Sequence, residues 1–331
     1  MFTRKQWITI AGLLAAALSA GTAGAQSDKS LAQQIFETMT QVPGYDPAFR
    51  AAHAKGIVCE GTFTASKDAT RLSRAAHFQG GSIPVIVRFS DAPPDPVVAD
   101  NSGGYPRGIA VRFSLPGGGQ TDLVMLSHNG FIVGTGEDFL ALQKAIVAID
   151  PSKPHPWEIE KFVGSHPAGA KFLQDVQSVP ASFGTQAFFS NNAFIFVDKQ
   201  GVKRAGRYQF LPVAGQHNLS EADAKAKPKD FLAEELKARL ARGPVRFRLV
   251  AQLANPGDPT NDGSVVWPAD RKTVELGVLS VKSVVAKSDT AQKSLVFFPT
   301  NLTDGIELSD DPLPALRTSV YALSFGRRQQ P

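Results

Sequence analysis

Two short β-branched runs and the turn that follows them limit this chain more than any other feature. Pro84-Val85-Ile86-Val87-Arg88-Phe89-Ser90 and Ile109-Ala110-Val111-Arg112-Phe113 are too short for buried helices and rich in residues that favour a pleated surface. Pro116-Gly117-Gly118-Gly119 then reverses the chain into Thr121-Asp122-Leu123-Val124, so these runs read as consecutive antiparallel strands. The pattern returns at Ala193 to Val197, where Asp198-Lys199-Gln200-Gly201 turns into a strand ending at Phe210. Val245, Phe247 and Leu249 alternate with Arg246 and Arg248, and Val274, Leu276 and Val278 alternate likewise, each a strand with one wet face.

Helical periodicity appears between these groups. Ser30 to Thr40 and Phe231 to Leu240 predict short helices, and a final helical segment begins at Ala315. The longest stretch runs from about Gly136 to Val179, with Phe139, Leu140, Leu142 and Ile146 spaced for one buried face. Helices set between strand groups without regular alternation predict an α+β fold on an antiparallel barrel. With 331 residues and 43% hydrophobic content, the chain has ample material for one large core. No repeat or linker divides it, so residues 26–331 read as a single domain.

The first 25 residues read separately. Arg4 and Lys5 precede an apolar run from Ile8 to Ala20, which ends in Ala23-Gly24-Ala25. That is the pattern of a cleavable secretory signal peptide, and the run is short of the roughly 20 residues that span a bilayer. The prediction is export to a bacterial-type periplasm without stable membrane insertion. The single cysteine, Cys59, has no intrachain partner and sits in the strand-like Ile57-Val58-Cys59-Glu60-Gly61. It reads as a small buried hydrophobe, with a nucleophile or thiolate ligand as the alternative. The formal charge of +5 comes partly from the leader, and no basic cluster alternates with aromatic residues, which argues against nucleic acid.

The six histidines have no zinc-helix spacing, and neither a phosphate loop nor a Gly-x-Ser-x-Gly elbow is present. His77 lies in a strand or turn and reads as structural. Arg317 and Tyr321 are four residues apart, so a helix puts them on one face. A guanidinium beside a phenol favours phenolate, a hard anionic ligand for ferric iron. The alternative is a packed tyrosine covered by an arginine, and spacing alone does not choose.

The ordered set of motifs does. Arg50 and His53 followed by Pro84–Ser90, Arg107-Gly108, the hairpin from Phe194 to Phe210, Val266-Trp267-Pro268, Phe298-Pro299-Thr300-Asn301, Gly305-Ile306-Glu307, Ser309, Asp311, and Arg317 to Tyr321 resemble the haem catalase family from about Leu31 to Arg328. The resemblance implies an eight-stranded antiparallel β-barrel of the catalase type with inserted and C-terminal helices, enclosing haem b (iron protoporphyrin IX). It implies Tyr321 on the iron, kept ionised by Arg317, with His53 over the opposite face and Ser90 orienting it. Arg50, Arg88 and Arg328 match arginines that bind haem propionates, although the adjacent Arg327 leaves the last assignment open by one residue.

Two departures from the family pattern stand out. A distal asparagine that donates to bound peroxide is displaced here: its position reads as Leu126, Ser127 or His128, and either His128 or Ser127 takes the role or the role is missing. The chain also ends soon after Tyr321, without the family's wrapping and C-terminal helical regions or their nicotinamide surface, so no NADPH is expected. Both favour a peroxidase that reduces hydrogen peroxide or organic hydroperoxides with an organic reductant, with weak dismutation. A hydroperoxide-rearranging haem enzyme, a non-catalytic haem carrier and a haem-free ligand-binding barrel are the competing functions.

Overall fold

The computed structural model describes residues 29–330. The predicted signal peptide lies outside the described residues. Ser30 opens the first helix, Leu31–Met39, through a capping box with Gln33, which satisfies two backbone donors reciprocally. The strands follow: β1 Gly56–Ala65, β2 Ser82–Asp91, β3 Arg107–Ser114, β4 Gln120–Leu126, β5 Phe188–Phe189, β6 Phe194–Val197, β7 Lys203–Pro212, β8 Val245–Leu253, β9 Thr273–Val284 and β10 Ile306–Leu308. Every pairing is antiparallel, and β1, β2, β3, β4, β5, β7, β8 and β9 close into an eight-stranded barrel when β9 returns to β1. β6 and β10 extend outward from β7.

The barrel interior is full. Register places Phe89, Ile109 and Met125 side by side on one face, and Val87, Val111 and Leu123 beside them. Phe63, Phe89, Phe188, Phe210 and Phe247 are all fully buried there, and Phe63 meets Phe113 edge to face at 5.3 Å between ring centres. Aromatic rings of this size leave no porphyrin-sized space. The expectation that the barrel encloses the cofactor is therefore corrected: the barrel is a packed support, and the large cavity lies against its outer wall.

Two local expectations also change. The alternation of Val274, Leu276 and Val278 breaks at Gly277, where φ is +149 and the ladder with β8 slips by a residue. Leu276, Leu279 and Val281 point inward instead, and Val278 is left half-buried. This is a bulge that a glycine makes affordable. The helical stretch after Gly136 divides into Gly136–Val147, Glu158–Ser165 and Pro167–Asp175. Pro151, Pro154 and Pro156 between the first two forbid a continuous helix. The closing helix, Leu313–Arg328, packs Val320 and Leu316 against Ile35 and Met39 of the first helix and Leu140. Among the described residues no helix is long and apolar enough to cross a membrane.

Candidate active site

Because side chains alternate along a strand, the residues of β2, β3 and β4 that do not enter the barrel face outward together. Register makes two outward rows, Arg88 with Ala110 and Val124, and Ser90 with Gly108 and Leu126. These rows form one wall of a cavity of about 790 Å³, within the range of cofactor sites. The segment carrying Arg50 and His53, the helix Gly136–Val147 and the closing helix complete it.

His53 is held in left-handed backbone, with φ of +57, a conformation that costs a non-glycine residue about 1–3 kcal/mol. Flanking hydrogen bonds impose it: the His53 amide donates to the Ala92 carbonyl at 2.8 Å and the Ala54 amide to the Pro93 carbonyl at 3.1 Å. The ring lies against Gly108, where a Cβ would come within 2.8 Å of His53 Cε1 and 2.9 Å of Nδ1. Nδ1 is 3.0 Å from Ser90 Oγ. Burial, reinforced by Arg88, Arg317 and Arg50, pushes the imidazole pKa down to about 3. The ring is therefore neutral at physiological pH. With its proton on Nδ1 donated to Ser90 Oγ, Nε2 keeps a free lone pair.

Tyr321 lines the same cavity from the closing helix. Its hydroxyl oxygen accepts from Arg317 Nη2 at 3.1 Å and Nε at 3.3 Å. Arg317 Nη1 in turn donates to Asn192 Oδ1 at 2.5 Å, and Asn192 Nδ2 to Asp311 Oδ2 at 2.7 Å. Asp311 also accepts the Leu313 amide at the start of the helix. The guanidinium is thus aimed at the phenol by a chain of buried groups reaching back to the helix entrance. The sequence reading missed Asn192; the available signal was the pair Asn191-Asn192 set just ahead of the strand-like run Ala193 to Val197.

Arg50, Arg88 and Arg328 gather at the same cavity. Arg88 donates to the His53 and Ala54 carbonyls and to Gln292, while Arg50 and Arg328 both donate to the Leu295 carbonyl. Among the described residues none of the three forms an ion pair with a carboxylate. Burial, with Arg328 adding repulsion, pushes Arg88 down to about 9; burial pushes Arg328 down to about 10; Arg50 is lowered by burial and then by both neighbours. Three clustered, mutually repelling cations, two of them buried and one half-buried, none of them ion-paired to a carboxylate, are costly, and a ligand bearing two carboxylates offsets that cost. The residues present therefore fit an apolar macrocycle with propionates at the arginines and a metal ion at the phenol oxygen. Of the two adjacent arginines it is Arg328 that lines the cavity, while Arg327 bonds Gln330 at the surface.

His128 does not join this site, which corrects its assignment to the peroxide side. Its Nδ1 is 2.7 Å from the Gly130 carbonyl and Nε2 is 3.1 Å from Asp175 Oδ2, and it lines a separate cavity. Ser127 faces that second cavity as well, its hydroxyl accepting from the Arg107 amide at 2.8 Å. Leu126 is the residue of the three that reaches the large cavity. His77 is buried in the barrel among Phe63, Phe78 and Phe113, and burial pushes its pKa down to about 3. Cys59 is buried in β1 with its thiol pushed up to about 12 by burial and Glu60, so it carries no thiolate chemistry. Among the described residues no three His, Cys, Asp or Glu converge as a metal site.

The family model for Catalase matches residues 19–328. A catalase-related peroxidase of Mycolicibacterium paratuberculosis is 36% identical over 298 residues, covering 89% of this chain and 94% of the relative. Another, from Synechococcus elongatus, is 31% identical over 331 residues, covering 98% and 96%. A fungal catalase crystal structure superposes with a TM-score of 0.76 at 20% identity, covering 96% of this chain and 66% of the other. Barrel, cavity and near-full-length similarity agree: the chain belongs to the catalase family.

Proposed function

We propose that this chain is a haem b peroxidase, which reduces hydrogen peroxide or organic hydroperoxides at the expense of an organic donor and dismutates peroxide poorly. Proteins of this family bind haem, and the relatives most fully covered are named catalase-related peroxidases. The observation that carries the reading is the convergence on one cavity of a neutral imidazole, a phenol under a guanidinium, and three arginines that form no ion pair with a carboxylate among the described residues.

Tyr321 would hold the iron through its phenolate oxygen, and Arg50, Arg88 and Arg328 would hold the propionates. Bound haem supplies the two-electron redox chemistry that accompanies breakage of the peroxide O–O bond. His53 supplies the proton movement. Its Nε2 lone pair takes the proton from one peroxide oxygen and returns it to the oxygen that departs, so that water or an alcohol leaves rather than an anion. Ser90 Oγ, 3.0 Å from Nδ1, can accept the Nδ1 proton, and that tautomer is the one that makes this transfer available. Arg317 lowers the cost of keeping Tyr321 ionised, and Asn192 and Asp311 keep Arg317 in place. Leu126 presents methyl groups where dismutation needs a second donor to position another peroxide, and loss of one such donor costs about 10²-fold.

The test is spectroscopic and kinetic. The purified protein should show a Soret band with a high-spin ferric phenolate spectrum that Tyr321→Phe abolishes or converts to another ligation. His53→Ala should keep full haem content while losing about 10²- to 10⁴-fold in its rate with peroxide. Unchanged peroxide kinetics in His53→Ala would mean a haem carrier rather than an enzyme. The leader pattern supports export to a periplasm, which the N-terminal residue of the protein recovered from that compartment would test.

A further inference from the structure

The second cavity, about 320 Å³, lies beside the first and is differently made. Tyr105 borders both. So does the end of β4, where Leu126 faces the large cavity while Ser127 and His128 face the small one. Tyr105 and the end of β4 thus form the partition between the two. The small cavity is lined by hydroxyls and amides, among them Ser127, Asn129, Ser178, Gln186 and Asn218. Its charges are internally balanced. Lys171 pairs with Asp175 at 2.7 Å, and Arg107 is committed to Asp91 and to backbone carbonyls beneath the Tyr105 ring. Tyr105 and Val266 add apolar surface, and Ser178 and Asn218 are exposed at the rim.

We propose that this cavity is the seat of the electron donor, and that the donor is a small neutral molecule with adjacent hydroxyls on one flat ring, of the dihydroxyaromatic or enediol class. The proposal rests on the peroxidase reading. The volume matches the space of roughly ten water molecules at about 30 Å³ each, hence a ligand of roughly that many non-hydrogen atoms. Balanced charge selects against anions and cations, and the hydroxyl and amide lining rewards a molecule that both donates and accepts hydrogen bonds. The overall reaction balances. The donor's two O–H bonds break and its ring becomes a quinone or diketone. Two electrons cross the partition, two protons leave at the open rim, and two protons enter the products as the peroxide O–O bond breaks to give water and an alcohol, or two waters.

The probe is catechol, with the haem-loaded protein. Calorimetric titration should show one catechol bound per chain, lost in Ser178→Trp, whose indole fills the cavity from its rim, and kept in Gln200→Trp, an equivalent change on the exposed β6–β7 turn. The KM for catechol in peroxide-driven oxidation should rise at least ten-fold in Ser178→Trp, with kcat at saturating catechol retained. Equal binding and equal KM in wild type and Ser178→Trp overturn the proposal and leave the peroxidase reading intact. Ser178-dependent binding without peroxide-driven catechol oxidation overturns the donor role while the binding site itself stands, and the peroxidase reading is then decided separately by the peroxide kinetics of His53→Ala.

Discussion

Gly108→Ala tests whether the position of His53, rather than its mere presence, sets the rate. The added methyl would sit 2.8 Å from His53 Cε1, 2.9 Å from Nδ1 and 2.9 Å from Ser90 Oγ. Ordinary contact begins at 3.4 Å, so the ring must withdraw by about 0.6 Å, or β3 must. His53 is pinned behind by its amide bond to Ala92, and β3 is pinned on both edges by β2 and β4, so the ring's own torsions absorb most of the shift. That breaks or lengthens the bond to Ser90. A displacement near 1 Å costs about 10²-fold in rate, so kcat/KM for peroxide should fall by roughly 10- to 100-fold. Crowding should also remove about 1–3 kcal/mol of stability, which urea unfolding measures separately. Haem content and the ferric phenolate spectrum should not change, because Tyr321 is untouched. The decisive measurement is a double-mutant cycle: in a His53→Ala background the same glycine substitution should cost little further, since the two act as one unit. A full, independent rate loss in that background would refute the steric coupling, and an undiminished rate in Gly108→Ala alone would refute the claim that ring placement matters.

Other outcomes follow from the same structure. Leu126→Asn should raise oxygen evolution from hydrogen peroxide relative to donor oxidation by about ten-fold or more, read with an oxygen electrode; no change would remove Leu126 as the cause of weak dismutation. Arg328→Gln should weaken haem binding roughly 10- to 100-fold, measured by transfer to an acceptor apoprotein, and unaltered retention would detach the arginine cluster from the propionates. His77 stays neutral in the fold down to about pH 3, whereas once unfolded it protonates near its ordinary 6.5. The unfolded chain therefore binds more protons in this window, and stability falls as pH drops from 6.5 towards 3. His77→Phe should remove about 2 kcal/mol of the stability lost between pH 7 and pH 5, and identical pH profiles for the two proteins would contradict it. His53 is likewise neutral well above pH 3, so its protonation should not shape the peroxide rate between pH 5 and 8 in stopped-flow measurements.

Local pattern was enough to place most strands, the first and last helices, and the residues at the two ends of the site. Each strand advertises itself through period-two burial and each turn through glycine or proline, and an i, i+4 pair on a helix shares a face whatever surrounds it. The ordered motifs then tied His53 to Tyr321 across more than 260 intervening residues. Three matters depended on how distant segments pack. Whether the cofactor space lies inside or outside the barrel depends on the summed volume of phenylalanines from several strands, which no single strand reveals. Which of Leu126, Ser127 and His128 reaches the cavity depends on where β4 ends: Leu126, its last residue, keeps the outward facing of its row, while Ser127 and His128 lie past the strand and turn to the other cavity. Asn192 acquires its place only when the stretch between β5 and β6 meets the closing helix, so its bond to Arg317 exists nowhere in the local sequence. Periodicity and turn chemistry are short-range and survive in the bare sequence; volume, facing and partner choice are set where segments far apart in the chain exclude one another from the same space.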